Sequence, residues 1–357
     1  MTEVGATEWR INDELIHLRR WASNVVYKLP AKDGTHATLG ADAGADIVLE
    51  DPGGLVSRKH ASITREDGRY VLRDLGSKNG TRIDGARRSL SVLEPGVEIV
   101  LGGTTLVAES RLFVELRSFL QRLLGWNEHA LEAVDLALRS VRTAAARRGR
   151  LVLCGEGDLA LVAAQLHRIT FGSERPFVMS TASRRDREEQ SLRFAAKNFE
   201  SGLAALEAAH GGTVCIWGKG KARPRNYLEM VAALRDPASR VQLVVCVHET
   251  TDGKEFDDSP VVIPRLSKRA PELAHVVDEY IRDAATALGV ATDLDASDRA
   301  WIRKFSARSL SEIEQATLRL VALRHGGGWS AAALLLGGIS HAGVARWFKR
   351  RDRSWDQ

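Results

Sequence analysis

Three patterns of apolar and polar positions succeed one another along the chain. From about Val25 to Ala108, short runs of β-type residues are broken by turn residues. The runs are NVVYKL, HATLG, ADIVL, HASITRE, RYVLRDL, TRIDG, VEIVLG and TTLVAE, and the breaks include Asp51-Pro52-Gly53-Gly54, Glu66-Asp67-Gly68 and Asn79-Gly80. Many short strands at regular spacing predict a β-sandwich. From about Phe119 to Leu288, helix-like and strand-like segments alternate. HALEAVDLALRSVRTAAAR precedes RLVLCG, DLALVAAQLHRIT precedes PFVMS, AAKNFESGLAALEAAHG precedes TVCIWG, YLEMVAALRD precedes VQLVVCVH, and VVIPRL follows. Strands separated by helices predict an α/β layer on a largely parallel sheet. From about Ala300 the pattern is helical: Leu310, Ile313, Ala316, Thr317 and Leu320 keep helical spacing, and Ser311 with Glu314 reads as a capping box. Gly326-Gly327-Gly328 ends that helix. Short helices from Ser330 to Leu336 and from His341 to Arg351 follow, joined by Gly337-Gly338-Ile339-Ser340.

Composition adds bounds. With 357 residues, 44% hydrophobic and 27% charged, the chain can bury more than one core, and two or three domains are expected. No apolar run approaches the roughly 20 residues that a membrane helix needs. The N-terminal stretch, through Glu8, Arg10, Asp13, Arg19 and Arg20, is too charged for a secretory segment, so a cytoplasmic protein with no membrane partner is expected. Cys154, Cys215 and Cys246 each sit inside an apolar run and read as small residues of buried strands, with no metal site and no disulfide framework. The net charge of +5 is partly local, because RWFKRRDR from Arg346 to Arg353 carries five basic residues and one acid.

Four landmarks stand in order within the first pattern: Leu39-Gly40, Ser57-Arg58-Lys59-His60, Asp74 to Thr81, and Asp84-Gly85. Together they resemble the forkhead-associated (FHA) family, a phosphothreonine-reading module, over nearly its full length. The resemblance implies that the Ser57 hydroxyl donates to the phosphate. It also implies that Arg58 or Lys59 adds positive charge, with Lys78 beside them, and that Asn79 holds the peptide main chain. His60 and Gly80 read as structural, the glycine for its freedom at positive φ. One residue departs from the family: the arginine that follows the glycine is Ala41 here. A charge-assisted hydrogen bond of that kind is worth about 1.5–3 kcal/mol, or roughly tenfold to a hundredfold in affinity. Either Arg58 and Lys59 compensate, or phosphate dependence is weakened or lost.

The middle pattern resembles the AAA+ domain of bacterial sigma-54-dependent activators. The resemblance rests on Gly155-Glu156 after the first strand, Arg175-Pro176-Phe177-Val178, Glu207 to Thr213, and Pro264-Arg265-Leu266 before a helical lid. The catalytic positions are worn. A P-loop needs glycines to expose backbone N–H groups and a lysine to reach the β- and γ-phosphates. Gly155-Glu156-Gly157-Asp158-Leu159 has no lysine and offers carboxylates instead. The strand that should end in Asp-Glu ends in Trp217-Gly218, the sigma-contacting loop is missing between Ser183 and Phe199, and Val247-His248-Glu249 replaces the usual sensor. The expectation is a pseudo-ATPase without catalytic residues or cofactor.

The last pattern resembles the Fis-type helix-turn-helix that ends such activators, with one extra glycine in the turn. Ala332, Leu335, Ile339, Val344 and Phe348 are expected as its small core. His341, Arg346, Lys349 and Arg350 are expected to face DNA. The whole reads as a multidomain chain: an extension over 1–24, an all-β FHA sandwich over 25–110, a degenerate α/β AAA+-like domain over 116–290 and an all-α helix-turn-helix domain over 296–357. The expected function is a bacterial transcriptional regulator with a phosphothreonine-bearing protein and DNA as partners. It would assemble with itself or with intact activators. The rival reading is an interaction scaffold without DNA binding.

Overall fold

The computed structural model describes residues 9–147, 149–183, 196–217, 223–236, 239–249 and 260–352. The chain divides into two compact units, one made of residues up to Cys154 with Ala160–Val262, the other of Gly155–Leu159 with Ile263–Gln357. Among the described residues no helix is long and apolar enough to cross a membrane.

The first unit opens with eleven short strands: β1 Leu15–Arg20, β2 Val26–Lys28, β3 His36–Gly40, β4 Ile47–Val48, β5 Ala61–Glu66, β6 Arg69–Asp74, β7 Thr81–Ile83, β8 Ala86–Arg87, β9 Leu90–Val92, β10 Glu98–Leu101 and β11 Thr104–Ser110. They form the expected sandwich, with sheets ordered β2-β1-β11-β10-β7-β8 and β4-β3-β5-β6-β9. Period-two alternation builds the core between them. Ala61 and Ile63 of β5, Tyr70 and Leu72 of β6, and Ile99 and Leu101 of β10 point inward, beside Leu18, Leu39 and Leu106. Each buried Leu or Ile among them contributes about 1.5–3 kcal/mol. Asp67-Gly68 and Asp84-Gly85 have positive φ at both residues, which matches a two-residue turn to the right-handed twist of β5–β6 and β7–β8.

The sandwich begins earlier than its sequence pattern. Leu15–Arg20, assigned above to an extension, pairs with both β11 and β2. Its alternation is hidden because a charged residue, Arg19, occupies one of its fully buried positions, at 1% exposure. The Arg19 Nε donates to Glu109 Oε1 of β11 at 2.8 Å, and its terminal nitrogens clasp the Asp135 carboxylate. They also reach the carbonyls of Arg20 and Ser23, at 2.9 Å each.

Asp135 belongs to the second of two helices that follow, α1 Arg111–Leu124 and α2 Glu128–Ala146. Burial alone would lower the Arg19 pKa and raise that of Glu109. Asp135 and Glu109 hold Arg19 above its ordinary value, while His17, Arg19 and Arg117 hold Glu109 below its own. Asp135, Arg139 and Arg142 share one stripe of α2. Arg139 forms a two-pronged pair with Glu98 at 2.6 Å and lies over the Trp21 ring; Arg142 does the same with Asp84 at 3.0 Å. The helix is therefore fastened along its length to the outer face of the first sheet.

The α/β layer follows as β12 Arg150–Gly155, α3 Leu159–Phe171, β13 Phe177–Ser180, β14 Asn198–Phe199, α4 Gly202–Ala208, β15 Thr213–Trp217, α5 Tyr227–Ala233, β16 Gln242–Val247 and β17 Val261–Ile263. The sheet order is β14-β13-β15-β16-β12-β17, with parallel pairing from β14 through β12. Strands buried on both faces, as parallel sheets require, explain the continuous apolar runs. All three cysteines are buried and free, in accord with their reading as small core residues. A hydrogen bond with Cys215, at 3.8 Å between sulfurs, and full burial push the Cys246 thiol well up.

The predicted helix AAKNFESGLAALEAAHG is shorter than its pattern. Asn198–Phe199 pairs as an edge strand with Met179 and Ser180, and the helix starts only after Ser201, whose hydroxyl caps it at Ala204.

The second unit is helical. A 3-10 segment Leu266–Glu272 leads into α6 Leu273–Leu288, α7 Ala296–Phe305, α8 Leu310–Gly326, α9 Trp329–Leu335 and α10 His341–Lys349. The lid-like α6 thus groups with the C-terminal helices and not with the sheet. Ile313, Ala316, Thr317 and Leu320 of α8 are buried as their spacing predicts. The capping residue is Ser309, which accepts from the Glu312 N–H at 3.2 Å, so the Ser311–Glu314 box is displaced by two positions and Ser311 is buried. Arg324 closes a two-pronged pair on Asp298, itself 3% exposed, and so ties α8 to α7.

Removing one member of the buried cluster in the first unit should be far worse than replacing a pair. Arg19→Met takes from the buried Asp135 its hydrogen-bonded ion-pair partner and should cost about 3–5 kcal/mol. Arg19→Met with Asp135→Leu should recover much of that loss. Chemical-denaturant midpoints of the single and double variants test it; equal destabilisation of the two would show that the ion pair is not what holds α2.

Candidate functional site

The loops at one end of the sandwich are tied by backbone hydrogen bonds before any ligand arrives. Gly40 ends β3 where the chain passes against Arg58: a methyl group there would lie 1.9 Å from the Arg58 carbonyl oxygen, so only glycine fits. The Ala41 N–H then donates to Ser57 O at 3.1 Å, and Asp42 N–H to Arg58 O at 3.2 Å. The backbone of residue 41 is thus tied to the Ser57 loop whatever its side chain, and Ala41 brings no guanidinium.

His60 lies fully buried under this loop. Its Nδ1 accepts from the Ser57 N–H at 3.1 Å, and its Nε2 donates to the Gly80 carbonyl at 3.3 Å. That pairing requires the neutral ring, and burial lowers the His60 pKa in the same direction. The histidine joins two loops and makes no claim on a ligand, as its sequence context suggested.

Ser57 and the Lys78-Asn79 turn meet directly. The Lys78 N–H donates to Ser57 Oγ at 3.0 Å, and Asn79 Nδ2 donates to Leu55 O at 2.7 Å. Ser57 thus uses a lone pair for the loop and keeps its O–H proton to give to an acceptor. Asn79 keeps its second N–H and its oxygen. Arg58, Lys59, Lys78 and Asn79 are exposed, and Ser57 is half-buried. All five residues expected at the phosphate site fall on these two loops.

Asp74, which opens one of the sequence landmarks, was given no role there and the Leu55 carbonyl was not singled out, yet both shape the site. Asp74 Oδ1 accepts from the N–H groups of Gly76 and Ser77 at 2.9 and 2.8 Å, and Oδ2 accepts from the hydroxyls of Ser77 and Thr81 at 2.7 Å each. The spacing of Asp74 before Ser77 and Thr81 is the signal that could have revealed it.

Elsewhere the expected residues are placed as follows. Glu156, in the turn that lacks a P-loop lysine, pairs with Arg265. The missing sigma-contacting loop and Gly218 concern residues 184–195 and 218, outside the described residues, as does Arg353. In the second unit, His341, Arg346, Lys349 and Arg350 are all exposed on or just after α10, whose N-cap is Ser340. Ala332, Val344 and Phe348 are buried, but Ile339 is 42% exposed and does not join that core. The cause is the turn: Gly337 and Gly338 both adopt positive φ, and their N–H groups bond to Leu334 O and Ala333 O, so the chain leaves α9 before Ile339 can fold back. Arg351 is held over the Trp347 ring at 3.8 Å, with Arg319 at 4.7 Å on the same ring, so it is a packing residue. Trp301 anchors the segment by donating to Asp352 at 3.0 Å and by stacking on Phe348. Among the described residues no group of three or more His, Cys, Asp or Glu is gathered to hold a metal.

Burial opposes the Asp74 charge, but the four donors outweigh it and lower the pKa from 3.8 to about 2. A depressed carboxylate stabilises the folded form above its unfolded pKa and loses that effect as pH falls through the folded value. Asp74→Asn should therefore lower the thermal midpoint at pH 7, and the gap to the unaltered protein should narrow steadily below about pH 4. A gap independent of pH from 7 to 3 would show that the ionised form is not what organises the turn.

Comparisons with known proteins converge on this part of the chain. Residues 37–102 match the model of the FHA domain. An oxoglutarate dehydrogenase inhibitor of Corynebacterium diphtheriae is 39% identical over 75 residues, 21% of this chain and 51% of that protein. That of Corynebacterium jeikeium is 40% identical over 75 residues with the same coverage. The chain thus spans about half the length of the curated relatives it matches, 51% in each case. Among solved structures, the FHA domain of the Chlamydia trachomatis protein CT664 is 32% identical, covering 26% of this chain and 95% of that one, with a TM-score of 0.24. Mycobacterium tuberculosis EmbR in complex with a low-affinity phosphopeptide is 31% identical, covering 27% of this chain and 24% of that one, with a TM-score of 0.25. Residues 37–102 of this chain are an FHA domain.

Proposed function

We propose that this protein is a regulator that docks on a phosphothreonine-bearing protein through its FHA domain and carries that signal to DNA through its C-terminal helices. The carrying observation is the state of Ser57: its oxygen is fixed by the Lys78 N–H at 3.0 Å, which leaves the hydroxyl proton to meet a phosphate oxygen among exposed Arg58, Lys59 and Lys78. A neighbour solved with a phosphopeptide, and curated relatives named as inhibitors of an enzyme, support a domain that works by binding another protein. In this reading the α/β layer is a scaffold, since its Gly155–Leu159 turn has no lysine for a phosphate and its Glu156 is already paired with Arg265. Exposed His341, Arg346, Lys349 and Arg350 on one short helix support the DNA contact.

Fluorescence anisotropy with the full chain tests the first half. A phosphothreonine peptide should bind weakly, its unphosphorylated form should not bind, and Ser57→Ala or Asn79→Ala should each abolish the difference. Equal binding of both peptides would make the domain a phosphate-independent docking surface.

DNA binding is tested separately on the full chain by its salt dependence. Arg350→Ala should weaken all duplexes alike and flatten the salt slope by about one unit. Arg346→Ala should cost about 1–3 kcal/mol and relax preference at one base position. If neither substitution alters affinity at low salt, the helices only pack, and the protein is a scaffold without DNA binding.

A further inference from the structure

Arg87 ends β8 and takes no part in the reading above. The Asp84-Gly85 turn folds β8 back along β7, so that Arg87 comes to lie over Gly80, the residue after Asn79. A methyl group on Gly80 would sit 2.6 Å from Arg87 Nε, 2.7 Å from a terminal nitrogen and 2.8 Å from Cζ. The Nε and terminal-nitrogen side of the guanidinium therefore lies against Gly80, and a side chain at residue 80 would displace it. A guanidinium is a planar fork of donors that can receive a carboxylate through two parallel bonds.

Among the described residues no carboxylate pairs with Arg87. Arg139 and Arg142 are each matched to a carboxylate, but Arg87 is exposed and has no hydrogen bond or ion pair among the described residues. Its partner across the strands is another cation, Arg82. Like charges directly opposite on neighbouring strands repel, and an anion bound between them would relieve that repulsion. The segment is held at the candidate site by two backbone bonds, Arg88 N–H to Thr81 O at 3.0 Å and Asp74 N–H to Ser89 O at 2.9 Å. Asp74 is the residue that organises the Lys78-Asn79 turn, so Arg87 belongs to the same loop cluster.

We propose that Arg87 forms an anion subsite of the FHA domain that takes an acidic side chain flanking the phosphothreonine of the partner. It rests on the phosphothreonine reading for the neighbouring Ser57 subsite, and it makes the preferred ligand an acidic phosphopeptide. Binding energy would be spread over two anions of the peptide, the phosphate and the flanking carboxylate.

The test titrates fluorescent peptides into the full chain: a phosphothreonine flanked by Asp and Glu, the same peptide with Asn and Gln flanks, and the acidic one without phosphate. The unaltered protein should prefer the acidic over the neutral phosphopeptide by about tenfold, the scale of one well-placed charged contact. Arg87→Gln should erase the preference while leaving the neutral phosphopeptide within about twofold, and Arg87→Lys should restore part of it. Equal weakening of both phosphopeptides by Arg87→Gln, or an unchanged preference, would overturn the subsite. An acidic preference that needs Arg87 but persists in Ser57→Ala and without phosphate would keep the subsite and overturn the phosphothreonine reading. Binding of none of the three peptides would overturn both.

Discussion

A guanidinium at 1% exposure is costly unless its charge and donors are matched, and Arg19 bonds to β11, to α2 and to the carbonyl of Ser23 at once. Its carboxylate partners come from the last strand of the sandwich and from a helix beyond it, so the cluster forms only when β1, β11 and α2 are all in place. A slip of any of these elements would leave a buried charge unmatched, which is costly. The two-pronged pairs of Arg139 and Arg142 then fix the rotation of α2 on the sheet. Since α2 ends at Ala146 and β12 begins at Arg150, the α/β sheet starts from a helix whose position the sandwich has already set.

The ligand loops follow a different rule. They are mostly exposed, and their order comes from backbone bonds to a few buried or half-buried side chains, chiefly His60 and Asp74. Loops ordered before binding lose little entropy when a peptide arrives, so a modest number of contacts suffices for a specific complex. The loss of the family's arginine at Ala41 leaves this scaffold intact, because the backbone of that position is what meets Ser57. Fold and ligand affinity are separable at this residue.

The sequence announces those features that constrain the backbone. Gly40, Ser57, His60, Asn79 and Gly80 are each required by a close approach or a side-chain-to-backbone bond, and such requirements leave spaced landmarks. Features that depend on distant partners are silent. Arg19 disguised β1 because its reason for burial, Asp135, lies more than a hundred residues away. Nothing in the sequence marks Arg87, because its place over Gly80 depends on the hairpin. At the C-terminal end, Ser309 and Ser311 offer the same capping chemistry, and only the burial of Ser311 decides between them. Ile339 failed as a core residue because two consecutive glycines leave the helix by a tighter route than an apolar spacing rule assumes.

The α2 clasp also decides where this protein can be divided. A fragment cut after Ser110, the end of the last strand, would contain every landmark of the FHA domain and all of its ligand loops. It would also strip Asp135 from Arg19, Arg139 from Glu98 and Arg142 from Asp84, baring the sheet face to which α2 is fastened. The smallest self-sufficient piece of the first unit therefore reaches at least to Ala146, and the recognition module is inseparable from the stem that joins it to the rest of the chain.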